Sequence, residues 1–185
     1  MRRLEDSSHG DLPSPADERL FGERLTRLKQ ASEQGAVRFA PQALPLEQCA
    51  GVASMIELTL LRPDARESEV VEACRTAVER EYTAVVVLID WVETAASILS
   101  GSDVRLCVPV GFPTGGLATT AKQAEIRSAI GGGADEVDVV MHLDRLRAAD
   151  YQAAGNDLWK CVDAAGGKPV KAVIEAATLN CEEKV

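Results

Sequence analysis

The chain has 185 residues, a formal net charge of −9, 46% hydrophobic and 26% charged residues, five cysteines and only seven aromatics. This ordinary globular composition excludes wholesale disorder, a collagen-like repeat and a disulfide-dense miniature. The length also falls short of the ~250 residues of a complete barrel of eight βα units, and the acidic balance disfavours nucleic acid, whose phosphates it would repel.

Residues 1–15 mix Ser7, Ser8, Gly10, Pro13, Ser14 and Pro15 with acids and read as a mobile tail without an apolar export signal. A helix is expected next, capped by Asp17 and carrying Leu20, Phe21, Leu25 and Leu28 at helical spacing, with Gly35 as its stop. Pro41 and Pro45 then separate this extension, residues 1–45, from a main domain over 46–185.

From there the period alternates. Strands are expected at Met55–Leu61, Thr83–Ile89, Val104–Gly111, Glu136–His142 and Pro169–Ala176. Between them, Glu67–Glu81 places Val70, Cys74, Ala77 and Val78 on one helical face, and Val92, Ala95, Ala96 and Leu99 form a shorter stripe. Further helices are expected over Thr119–Ile130, stopped by Gly131-Gly132-Gly133, and over Tyr151–Ala165, stopped by Gly166-Gly167. Single helices between strands imply right-handed crossovers and a parallel sheet.

Residue parity within the strands selects the architecture. Glu57 and Thr59 oppose Leu58 and Leu60, Glu136 and Asp138 oppose Val137 and Val139, and Lys171 and Glu175 oppose Val170, Ala172 and Ile174. An open sheet covered by helices on both faces has no place for mid-strand charges. A barrel has helices outside and a site at its mouth, so the expected fold is α/β, a partial TIM barrel of about five parallel strands with outer helices and an N-terminal helical extension. Asp138 and Lys171 have the parity to pair across neighbouring strands, either to move protons or simply to hold register.

The longest apolar run, Ala84–Ile89, is six residues, far too short to span a bilayer, and a cytoplasmic protein without a membrane partner is expected. Cys49, Cys74, Cys107, Cys161 and Cys181 contain no Cys-x-x-Cys pair, and His9 and His142 are the only histidines, so neither a disulfide frame nor a metal site is expected. The loop Gly111–Gly116 has the strand, turn and helix context of an anion cradle but lacks a Gly-Lys-Ser/Thr nucleotide motif.

Val110-Gly111-Phe112-Pro113-Thr114-Gly115, followed by Thr119, Thr120 and Lys122 and then by Gly133-Ala134-Asp135-Glu136-Val137-Asp138-Val139-Val140, resembles deoxyribose-phosphate aldolase, a class I aldolase on a TIM barrel. Weaker matches at Ile56–Asp64 and Ala164–Glu175 extend the resemblance over residues 46–185. It implies reversible cleavage of 2-deoxy-D-ribose 5-phosphate into D-glyceraldehyde 3-phosphate and acetaldehyde through a lysine Schiff base, without cofactor or metal. The small phosphorylated sugar or aldehyde would be its partner. Asp138 matches the family's proton-relay aspartate and Lys171 its supporting lysine. Glu57, Thr59 and His142 become candidate substrate contacts, His142 because its parity points into the lumen with Asp138.

In the family the Schiff-base lysine stands on the sixth strand, and the chain ends at Val185 before such a segment, so a C-terminally truncated form is expected. Lys122, in the first turns of a helix, reads as a surface or structural residue and Cys107 as a packing residue. Glu57-Leu58-Thr59 replaces the family's Asp-His-Thr, Arg62 replaces a lysine, and Val86, Leu88 and Ile89 replace polar lining. The alternative is a catalytically inactive barrel fragment that acts only by associating with another chain, as a possible homo-oligomer through open barrel edges.

Overall fold

The structure is a computed structural model that describes residues 51–180 together with Gln30. The expected tail and N-terminal helix lie outside the described residues. The chain divides into two compact units, Met1–Gln42 with Asn180–Val185, and Ala43–Leu179; the elements below all belong to the second.

Five strands, β1 (Glu57–Leu60), β2 (Ala84–Val87), β3 (Arg105–Val110), β4 (Glu136–Val140) and β5 (Val170–Val173), form one parallel sheet in sequence order. Five helices lie along the same stretch: α1 (Glu67–Glu79), α2 (Val92–Leu99), α3 (Thr119–Gly131), α4 (Leu143–Arg147) and α5 (Tyr151–Ala164). Consecutive pairing of parallel strands through helical crossovers is the barrel progression that the charge parity implied, not the reversing order of a doubly wound sheet.

Local chemistry explains the elements. β2 is Ala-Val-Val-Val and buried throughout, as a central strand of β-branched residues should be. α1 begins with Glu67 and Glu69 in its first turn, where carboxylates favour the helix dipole, and Glu69 accepts the Arg66 backbone N–H at 2.9 Å. The Asp150 side chain accepts the Ala153 N–H at the start of α5. Leu106, Val108 and Val110 from β3 and Val137 and Val139 from β4 meet Val70, Cys74, Ala77, Ala95, Leu99, Ile126, Ala129 and Cys161 from the helices. The apolar core thus lies between the sheet and its outer helix layer.

The strands are shorter than expected from sequence, because their C-terminal ends turn into loops at the mouth of the sheet. The five-residue α4 escaped the periodicity reading, being too short to show a repeat. Val78, expected on the buried face of α1, is 40% exposed, since the sheet covers only the narrower stripe of Val70, Cys74 and Ala77.

Candidate active site

The odd-numbered residues of β1, β3 and β5 and the even-numbered residues of β4 face away from the helix layer, and three acids and one lysine meet there. Asp138 and Lys171 are register partners on adjacent strands, with Lys171 Nζ 3.2 Å from Asp138 Oδ1. That separation is an ion-pair contact without hydrogen-bond alignment, which leaves Asp138 Oδ1 buried and otherwise unpartnered. The lysine instead donates to Glu57 Oε1 at 2.6 Å and to Glu136 Oε1 at 3.1 Å. Arg105 Nη1 lies 3.5 Å from the second Glu136 oxygen.

The Glu57 contact shows the curvature directly. β1 and β5 are four strand intervals apart, which in a flat sheet would be ~19 Å. A direct contact between their side chains requires the sheet to curl until its first and last strands face each other across a concave surface. Within that concavity a cavity of about 240 Å³ is lined by Glu57, Thr59, Leu61, Val86, Pro109, Phe112, Asp138, Val140, Val173 and Glu175. Of the sequence candidates, Glu57, Thr59 and Asp138 line this cavity, and Lys171 sits below it, bonded to Glu57. Glu175, expected within strand five, follows the end of β5 in a left-handed conformation (φ 48°) and still reaches the cavity.

His142 does not line the cavity. β4 ends at Val140, so strand parity stops there, and the chain turns into α4. The imidazole is 7% exposed, with Nε2 3.7 Å from Asp157 Oδ1 and Nδ1 3.4 Å from Asp144 Oδ1. It belongs to a second polar cluster behind the strand ends, centred on Lys122. That lysine is completely buried, and its Nζ donates to Asp157 Oδ2 at 2.8 Å and to the Val140 carbonyl at 2.9 Å. Thr119 donates to the other Asp157 oxygen at 2.6 Å. Of the surface and structural alternatives for Lys122, the structure shows the structural one. The sequence carried no signal for its partner Asp157, which lies 35 residues away on α5.

This cluster braces the Gly111–Gly116 loop, whose Phe112 forms one wall of the cavity. The Lys122 stem packs under Gly111, whose N–H donates to Glu125 at 2.8 Å. Gly115, at φ +71°, lies so close to the end of β4 that a Cβ there would stand 1.8 Å from the Met141 carbonyl oxygen. The loop is therefore pinned to the strand end rather than open for an anion.

The charge balance of the concave cluster determines its chemistry. Burial opposes the Lys171 ammonium, but the hydrogen bond it donates to Glu57, the neighbouring Cys107 sulfur, Glu136 and Asp138 together outweigh it and hold the pKa of Lys171 well above the ordinary lysine value. Burial and the adjacent Asp138 carboxylate push the Cys107 thiol upward as well, which makes it a packing group rather than a nucleophile. Because the folded-state pKa of Lys171 is raised, its contribution to stability is complete below the unfolded value of ~10.4 and is lost as pH rises through the folded one. Lys171→Met is expected to lower stability at neutral pH by about 1–2 kcal/mol, since water reaches Lys171 and Glu57, which are 38% and 31% exposed, and screens the cluster. Glu136 then keeps Arg105, while Glu57 and Asp138 lose the cation that they share. The deficit should persist from neutral pH to about pH 9.5, because the lysine stays charged in the folded state throughout that range; urea melts at both pH values check this, and a deficit that vanishes by about pH 9.5 would show that the acids do not hold the Lys171 charge.

No family model matches the chain. Among curated proteins, the deoxyribose-phosphate aldolase of Streptococcus uberis is 40% identical over 130 residues, which are 70% of this chain and 59% of that one. The deoxyribose-phosphate aldolase of Clostridium perfringens (strain SM101) is likewise 40% identical, over 135 residues that are 72% of this chain and 60% of that one. Two solved structures agree: the aldolase QR15, with a TM-score of 0.68 and 30% identity over 71% of this chain and 59% of that one, and the tetrameric deoxyribose-phosphate aldolase of Aeropyrum pernix, with a TM-score of 0.61 and 26% identity over 76% and 62%. The chain spans about three fifths of the length of the curated aldolases it matches. The aldolase resemblance and the partial TIM barrel drawn from sequence both stand. Among the described residues no cluster of ligating side chains could hold a metal ion, and no helix is long and apolar enough to cross a membrane.

Proposed function

We propose that the chain supplies the first five βα units of a deoxyribose-phosphate aldolase, which reversibly cleaves 2-deoxy-D-ribose 5-phosphate to D-glyceraldehyde 3-phosphate and acetaldehyde through a lysine Schiff base. The observation that carries this reading is the Asp138–Lys171 register pair, 3.2 Å apart beneath a lined cavity on the concave face. Asp138 is the proton carrier. Its unpartnered buried oxygen has an acceptor site to spare, and the adjacent ammonium keeps a proton within reach. Glu57 and Thr59, which line the cavity, are the substrate contacts.

Lys171 supports the reaction and is not the nucleophile. A Schiff base forms from a neutral amine, and the surrounding acids favour the charged form. Lys122 is spent on Asp157 behind the strand ends, and Lys168 lies at the opposite end of β5, 3.6 Å from Asp135. The family pattern places the reactive amine on a strand later than β5.

Two measurements test the reading. A chimera that continues the chain with the sixth to eighth strands of the Streptococcus uberis enzyme should cleave deoxyribose 5-phosphate in a coupled assay and lose about 10²-fold or more of that rate in Asp138→Asn; an unaffected rate would remove Asp138 from the mechanism. The 185-residue chain itself, treated with acetaldehyde and borohydride, should yield no reduced adduct on Lys171 by peptide mass mapping. An adduct there, with turnover abolished by Lys171→Arg, would reassign the nucleophile.

A second reading is an inactive barrel segment that works by association. It is favoured by β1 and β5 each pairing on only one side among the described residues. Self-association of either form has precedent in the tetramer of the Aeropyrum pernix aldolase.

A further inference from the structure

Glu136 is the most deeply buried carboxylate of the concave cluster, 2% exposed, and no step assigned above uses it. It stands on β4 two residues before Asp138, on the same side of the strand, and so ~7 Å further from the cavity mouth. An anion there is stable only when it is paired. Its two oxygens meet different cations. Oε2 lies 3.5 Å from Arg105 Nη1, and the other end of that guanidinium is tied down, Nη2 donating to the Thr83 hydroxyl at 3.2 Å. Oε1 accepts from Lys171 Nζ at 3.1 Å. Arg105 on β3, Glu136 on β4 and Lys171 on β5 thus form a charged row across three adjacent strands beneath the cavity.

The row governs where the Lys171 ammonium sits. Among the described residues it is faced by Glu57 from β1, the Cys107 sulfur from β3, and Glu136 and Asp138 from β4. Glu57 makes the shortest contact, but it is partly exposed and lines the cavity, where water and substrate compete for it. Glu136 is buried and anchored from behind by Arg105, so it stays in place. The flexible four-carbon stem of a lysine lets its ammonium follow a mobile partner. The bond to Glu136 removes that freedom and keeps Nζ 3.2 Å from an Asp138 oxygen that has no hydrogen-bond partner. A carboxylate at this distance also favours the charged form of the amine. We infer that Glu136 is a positioning residue: held by Arg105, it keeps the Lys171 ammonium beside Asp138 beneath the cavity. Its bearing on proton transfer by Asp138 rests on the aldolase reading above; the placement of the ammonium does not.

Competitive acetylation of the full chain with acetic anhydride at about pH 10 tests the placement, because only a neutral amine reacts. Peptide mass mapping compares Lys171 with Lys168, an exposed lysine in the same peptide region that serves as the reference. Glu136→Gln keeps the volume and an acceptor oxygen but not the charge, and it should raise the Lys171-to-Lys168 labelling ratio about tenfold or more. The fully buried Cys74 and Cys161 should stay unreactive to iodoacetamide, which shows that the variant is folded. Should it not fold, Glu136→Gln with Arg105→Met, which leaves no guanidinium unpaired, takes its place with the same expected ratio. In the chimera described above, Glu136→Gln should lower kcat at least about tenfold, leave KM unchanged and move the alkaline limb of the pH–rate profile to lower pH. An unchanged labelling ratio overturns the proposal, as does a raised ratio with an unaltered pH–rate profile in an active chimera. A raised ratio with an inactive parent chimera supports the placement of the ammonium and removes the aldolase reading instead.

Discussion

Lys122→Met is expected to destabilise the protein by about 3–5 kcal/mol, the usual cost of leaving one member of a buried ion pair without its partner. The methionine fills nearly the same volume, so packing under Gly111 survives and the loss is electrostatic. Asp157 is 4% exposed and would retain only the Thr119 hydroxyl and the more distant His142 ring, and the Val140 carbonyl would lose its donor. A double variant, Lys122→Met with Asp157→Leu, should recover most of the stability, because an apolar pair of similar volume often replaces a buried salt bridge at little net cost. Guanidinium melts of the two variants check both statements. A single variant as stable as the parent would mean that water reaches Asp157; a double variant no better than the single would mean that the pair is needed for geometry and not merely for mutual neutralisation.

Gly115→Ala should cost about 2–5 kcal/mol, combining ~1–2 kcal/mol for an alanine in the left-handed region with the ~1–3 kcal/mol typical of overpacking. The clash is with backbone, the Met141 carbonyl, so no side-chain rotation can relieve it. Either the loop lifts from the end of β4 or the protein loses that stability. Lifting also moves Phe112 away from the cavity, so the same substitution in an active chimera should raise KM. Thermal melts give the stability, and an unchanged melting midpoint would show that the loop is not held against the strand. Gly116→Ala is the control: it sits one residue on, its nearest neighbour for a Cβ is the Thr114 hydroxyl at 3.6 Å, and it should change stability little.

Period and parity were legible without a structure. Runs of β-branched residues separated by single helical stripes leave few topologies open, and charges recurring every second residue in Glu136–Asp138 and in Lys171 mark a face that cannot lie under helices. Strand order, the inward face and the Asp138–Lys171 pairing therefore follow from nearest-neighbour geometry, which sequence spacing encodes. The resemblance carried by the Gly111–Gly115 motif and its continuation through Asp138 rests on the same contiguous residues. What spacing could not encode is contact between elements far apart in the chain. Whether Glu57 reaches Lys171, 114 residues later, depends on how strongly the sheet curls, which is set by the packing of the whole helix layer. Lys122 stayed open between a surface and a structural role because its burial is decided by α5, and His142 left its strand's parity because β4 stops two residues before it. Local sequence determined which face each strand presents; only tertiary packing decided which charges meet across that face, because a charge is stabilised by what surrounds it in space and not by its neighbours in the chain.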